Sequence, residues 1–388
     1  MFALVPPPAP TPERDDVPPG GPPRRRRPRR RLVPVAFALL MIVPLTSYTQ
    51  ALAAPGGGGW QVQSVEWVRD HGGAPLVNAI ENWWYHRQAP SSAVPAASAV
   101  PQAPPGRAAA DPVAPAPLSS LAGAPAVAGE ARWLPGRSDA NGTPAIYTTF
   151  IRPDPAYPAV VAGVAWIRAD ATAAHLVAGL RQPGGTGWPG GAQVPAADVP
   201  GLVATFNSGW KYKDLDGGFF LDGRTGAPLK DGQASVVIDD RGQVTVGQWG
   251  RDVTMTSHVS AVRQNLALVV DQGRPVPGLA SNAGGQWSSS HNQLQYTWRS
   301  GLGNDAAGNL IYVAGNGLTL RTLGDAMVQA GIQRGMELDI HPRMVAFSSW
   351  RPGPAGTVTP TQLLPDLPVP ADRYLTPDQR DFFYLTLR

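Results

Sequence analysis

The chain has 388 residues, among them 44 Gly, 43 Pro and no Cys, which excludes a disulfide scaffold, a thiolate zinc site and a cysteine nucleophile. Its formal charge of +4 resides in residues 1–31, where eight Arg outnumber Glu13, Asp15 and Asp16, so the remainder sums to −1. A nucleic-acid binder needs positive charge spread over a folded face, and that class is set aside.

Residues 1–31 are Pro- and Gly-rich and end in Arg24–Arg27 and Arg29–Arg31, the composition of a disordered cytoplasmic tail. An uncharged stretch follows, densest in LVPVAFALLMIVPL, and charge on one flank alone orients it with the arginines inside and the rest exported. Over residues 32–54 it is long enough for a transmembrane signal anchor, with Pro34 and Pro44 tolerated in a membrane helix. The alternative is a signal peptide cut near Ala53, since Ala51, Leu52 and Ala53 form an A-x-A site.

Residues 60–88 are Trp-rich. Val62, Val65 and Val68 suggest a short helix stopped at Gly72 and Gly73, and Pro75 opens a second. In the second, Leu76, Val77, Ile80, Trp83 and Trp84 form one apolar stripe, which suits either a lipid interface or docking onto the main domain. Residues 89–129 turn to Ala, Pro and Ser and read as a linker.

Residues 130–388 form the main domain, with strands expected at 145–150, 160–167, 235–238, 244–246, 266–270 and 310–313. ASVVIDDRGQVTVGQW reads as a hairpin turning at Asp240, Arg241 and Gly242. Helices are expected over 323–330, with Thr322 as N-cap and Gly331 as stop, and over 172–180. The fold class is therefore α+β, a largely antiparallel sheet with a few packed helices, preceded by the anchor and linker.

Glu337 and Asp339 alternate with Met336, Leu338 and Ile340, which places both carboxylates on one strand face beside His341, Pro342 and Arg343. Such a pair suits general acid/base chemistry or sugar binding, or else ordinary ion pairs with nearby Arg. Six scattered His give no metal spacing. Gly301, Gly303 and Ala306 match G-x-G-x-x-A, but a β-run follows instead of a helix, so the segment reads as a turn. No metal and no cofactor is expected.

Three stretches in order resemble the phosphodiester glycosidase domain, the family of the enzyme that uncovers mannose 6-phosphate. They are TFNSGW with DGGFFLDG, then VIDDRGQVTVGQWGRD with VRQNLALVVDQGRPVP, then RSGLGNDAAGNLIYVAG with ELDIHPRMVAFSSW. The resemblance covers about residues 200–350. It implies hydrolysis of a sugar-1-phosphodiester of an envelope glycan outside the cytoplasm. Asp339 and Glu337 would supply acid/base work. Asn207 and Asn265 would meet the sugar, and Arg263, Arg299, His341 and Arg343 the phosphate. Where the family carries Asp-Gly-Gly-Gly-Ser-Ser, this chain has Asp339 followed by Ile340, His341, Pro342 and Arg343. The other reading is a glycan-binding module without catalysis; both readings have a membrane and a glycan or sugar phosphate as partners, and no nucleic acid.

Overall fold

In a computed structural model the chain is described over residues 32–53, 59–87, 89–102, 113–288, 293–354 and 357–388. The tail expected over 1–31 lies outside the described residues. Leu32–Ala53 is a 22-residue helix containing Pro44, whose side chains are described from Val43 onward. Among the described residues no helix is long and apolar enough to cross a membrane.

The main domain is a sheet-rich α+β fold in which every named strand pair is antiparallel. An eight-stranded sheet runs β1 (Leu134–Pro135), β2 (Ile146–Ile151), β3 (Ala162–Ile167), β14 (Leu310–Leu318), β13 (Thr297–Asn304), β15 (Arg334–Ile340), β11 (Leu268–Asp271), β12 (Arg274–Pro275). A second sheet runs β7 (Arg224–Ala227), β6 (Phe219–Leu221), β10 (Val259–Gln264), β8 (Ala234–Asp239), β9 (Val244–Gln248). A third runs β17 (Val358–Gln362), β16 (Phe347–Pro352), β5 (Leu202–Asn207), β18 (Phe382–Leu387), β4 (Thr172–Val177).

The period of two explains how a wholly buried strand serves two cores. In β3, Ala165 and Ile167 join the core shared by the three sheets, while Ala162, Val164 and Trp166 point the other way. On that second face the helix Leu320–Gln329 lays down Leu320, Leu323, Ala326 and Met327.

The β8–β9 hairpin forms as its sequence predicts, pairing Ala234 with Gln248 through Ile238 with Val244. The later helix starts three residues earlier than expected. Thr319 is its N-cap, and Thr322 sits at the third position, closing a reciprocal capping box. The helix expected over 172–180 is instead strand β4, whose burial alternates and whose partner is β18. Tertiary pairing outweighs the weak helical pattern there, with Ala174 and Leu176 turned into the core. Gly301 and Gly303, read as a turn, lie within β13. A Cβ on Gly303 would stand 2.4 Å from the Arg334 carbonyl oxygen, so only glycine allows the strands to approach this closely.

The stretch read as a linker is, in its described parts, laid on the domain. Val100 is in the core, Trp133 Nε1 donates to Ala116 O at 3.0 Å, and Gln329 Nε2 reaches Ser119 O at 2.7 Å. Buried Glu130 accepts from Leu121 N and pairs with buried Arg152, which also donates to Pro125 O. Composition alone hid this, because the segment is held by backbone carbonyls rather than by an apolar period.

The Trp-rich segment is a helical hairpin: a helix at Trp60–Val68, a wider turn at Arg69–Gly73 and a helix at Ala74–His86. Gly72, at φ 89°, breaks the helix where the sequence places the stop.

Candidate active site

The site begins with an irregularity in β15. Gly301 pairs with Glu337 and Arg299 with Ile340, so Leu338 and Asp339 together oppose Ser300. This bulge breaks the alternation that would have kept the two carboxylates side by side, and it re-aims Asp339. Ser300 Oγ donates to the Asp339 carbonyl at 2.9 Å and holds the bulge in place.

Glu337 remains inside. It is fully buried, 2.7 Å from Arg299 Nη1, and accepts from Gln293 Nε2 at 3.0 Å. Arg299 is itself spent on Gln293 Oε1 and on the carbonyls of Leu318 and Gln295. The pair is structural, and neither residue lines the cleft at Asp339. Glu337, expected beside Asp339 as an acid/base or sugar-binding group, is thus held in an ion pair with Arg299, the other arrangement its pattern allowed.

Asp339 lies at the wall of a cleft shared with Trp210, Lys211, His341, Met344 and Arg380. Arg380 Nη2 is 2.9 Å from its Oδ2, and the Ile340 amide donates to Oδ1 at 2.9 Å. Burial raises the Asp339 carboxyl above the usual carboxylate range, and Arg380 opposes that rise. Arg380 comes from the segment preceding β18, which no motif in the sequence singled out.

Three groups fix the loop that presents Trp210. Asn265 Oδ1 accepts from Trp210 N at 3.0 Å, Arg263 Nη2 donates to Trp210 O, and Arg380 Nη2 donates to Gly209 O at 2.8 Å. A Cβ on Gly209 would meet Asn265 Oδ1 at 2.7 Å, so the loop needs glycine there. Asn265 Nδ2 also reaches the carbonyls of Glu337 and Leu338, tying this loop to the bulge. Arg263 is buried against Asp381 and stacks over Tyr212. Both residues therefore position the site from behind and do not line the cleft.

Asn207 is placed likewise. Its Oδ1 accepts from Tyr312 OH and Ala346 N, and its Nδ2 donates to Ser208 O and Ser300 Oγ. All four hydrogen-bonding places are occupied, so none is left for a sugar hydroxyl.

His341 and Arg343 do reach the clefts at this end of the fold. Both hold left-handed backbone, at φ 78° and φ 70°, a region that favours glycine. His341 donates its amide to Trp298 O at 2.8 Å. Burial and the Arg69 and Arg299 cations pull its imidazole down to about 3, so at neutral pH it offers hydrogen bonds and no charge. The charge comes from Lys211, Lys213 and Arg380, of which the first follows Trp210 directly in the sequence.

Burial, Arg380 and Lys213 push Lys211 down to about 7. Asp214 and Asp339 oppose that fall. The Glu66 carboxylate of the helical hairpin sits in contact with Lys211, and Asp70 pairs with Lys213. Arg69 holds Glu66 at 3.1 Å and also pairs with Glu81 of the second helix. The hairpin thus lies across the cleft on its polar face.

Two buried donors in the cleft wall, Trp210 Nε1 and Arg380 Nε, have no partner among the described residues. Among the described residues no group of three or more His, Asp or Glu could hold a metal.

No family model matches the chain, and no curated protein does. Among solved structures it is similar to a hypothetical protein from Synechocystis, at 13% identity and a TM-score of 0.41, over 64% of this chain and 63% of that one. It is also similar to a protein of Burkholderia pseudomallei K96243 assigned as exported, at 13% identity and a TM-score of 0.32, over 59% of this chain and 74% of that one. The chain thus spans under two thirds of the length of the Synechocystis protein.

Proposed function

We propose that this is a membrane-tethered, exocytoplasmic phosphodiester glycosidase-like hydrolase that takes a sugar-1-phosphodiester in the cleft at Asp339. The observation carrying this reading is the pair of unpartnered buried donors, Trp210 Nε1 and Arg380 Nε, beside a carboxyl raised by burial. Buried donors without acceptors are costly unless a ligand supplies one. Arg380 and Lys211 suit a phosphodiester, and the Trp210 ring suits a sugar face. In the reaction, water adds to the anomeric carbon as its bond to the phosphate oxygen breaks. Asp339 takes the water proton, and the phosphomonoester leaves against the cations.

The left-handed backbone at His341 also supports the reading, since the motif that the resemblance implies has a glycine at that position. The tether rests on the uncharged Leu32–Ala53 helix and the arginines before it.

One observation favours a binding module instead: Glu337 is withdrawn into its Arg299 pair and leaves Asp339 without the expected partner. Sugar release from a panel of sugar-1-phosphodiesters, beside Asp339→Asn, separates the two. Turnover lost in the variant supports the hydrolase; binding without turnover in either protein supports the module.

A further inference from the structure

The hairpin has a second face. Its polar side meets the cleft, whereas Leu76, Ile80, Trp83 and Trp84 are 63%, 57%, 55% and 54% exposed. Their spacing of four, three and one sets them on a single stripe of the helix Ala74–His86. Trp60, at the start of the first helix, is 66% exposed. Elsewhere in the main domain large exposed apolar side chains are scattered singly, as Leu180 and Met255 are.

We infer that this outer face docks on the interface of a lipid bilayer. Three of its five large side chains are indoles, which pair an apolar body with one N–H donor and favour the headgroup level. Arg87 stacks over Trp83 at 4.4 Å and supplies a cation at the rim of the stripe. Covalent continuity selects lipid over a soluble partner. Only six residues separate Ala53, the end of an uncharged 22-residue helix, from Trp60. A chain of that length extends at most about 25 Å. Residues 59–87 carry as many acidic as basic groups or more, so attachment is apolar and does not require anionic lipid. The inference rests on the membrane tether of the proposed function and not on its hydrolase chemistry, because it uses none of the cleft residues.

The absence of cysteine allows a clean test on the full chain reconstituted in phosphatidylcholine vesicles. A nitroxide is attached at Ile80→Cys on the stripe, or at Met255→Cys on an exposed loop of the main domain. Collision with dissolved oxygen, which concentrates in the bilayer, is compared with collision with a water-soluble nickel chelate. The expected result is an oxygen-to-nickel ratio several-fold higher at position 80 than at 255, unchanged in high salt. Adding Trp83→Ser and Trp84→Ser should bring position 80 to the value at 255. Equal ratios at the two positions in the unmodified stripe overturn the proposal. So does protection at 80 that grows with protein-to-lipid ratio, the signature of a second copy, or that disappears in high salt.

Discussion

Arg380 Nη2 stands 2.9 Å from Asp339 Oδ2 although the two residues lie 41 positions apart, Asp339 on β15 and Arg380 in the segment that leads into β18 of another sheet. The same nitrogen holds the Gly209 carbonyl at 2.8 Å. One guanidinium thus sets the spacing between the acidic wall of the cleft and the loop carrying Trp210.

Replacing Asp339 by Asn keeps shape and hydrogen-bonding capacity while removing the proton acceptor. Turnover of a sugar-1-phosphodiester should fall by about 10²–10⁴-fold, the usual reach of a positioned acid/base group. Thermal unfolding followed by circular dichroism should show a folded protein with the same cooperative transition. Retained turnover would remove Asp339 from the chemistry.

Glu337→Ala should act through stability instead. It leaves Arg299 charged and fully buried, with an expected loss of about 3–5 kcal/mol in urea unfolding. Under conditions where the variant stays folded, its KM should match that of the parent. A selective loss of kcat without destabilisation would return Glu337 to the active site.

The hairpin carboxylate at Glu66 occupies the position at Lys211 that an anionic ligand would need. Glu66→Gln should therefore tighten binding of a sugar phosphate by about two- to fivefold, the scale of one partly exposed ion pair. Isothermal titration with a sugar-1-phosphate measures this. Unchanged or weaker affinity would show that the hairpin does not compete for the cleft.

Lys211 gives the pH dependence its sign. Its protonated form attracts phosphate, so affinity should decline as pH rises through about 7, and Lys211→Arg should flatten the profile. The same depressed value means that, between about 7 and its ordinary 10.5, the unfolded chain binds more protons than the folded one. Lys211 therefore adds stability as pH increases across that window and withholds it below. A ligand affinity that is flat from pH 6 to pH 9 in the parent would contradict this assignment.

The sequence made local features legible. The turn at Asp240, Arg241 and Gly242 closes the β8–β9 hairpin, and Gly72 with Gly73 separates the two Trp-rich helices, because each depends on a few adjacent residues. Asp339 was recognisable from its place at the end of an alternating run. The bulge that parts it from Glu337 was not, since it is defined by pairing with Ser300 on β13. Nor were Arg380 and Lys211, whose relation to Asp339 is set by the packing of β18 and the Gly209 loop. The run TAAHLV can be written as either a helix or a strand, and β18 decides the matter.

The place of β18 has a bearing on synthesis. It lies between β4 and β5, and Arg380, just before it, bonds to a carbonyl 171 residues upstream. During vectorial emergence of the chain, β4 and β5 wait with bare edges until this late strand arrives. The cleft is therefore incomplete until the last strand docks, and so distant a pairing raises the contact order, which goes with slower folding. A chaperone able to shelter strand edges during that interval would raise yield without touching the stability of the finished protein.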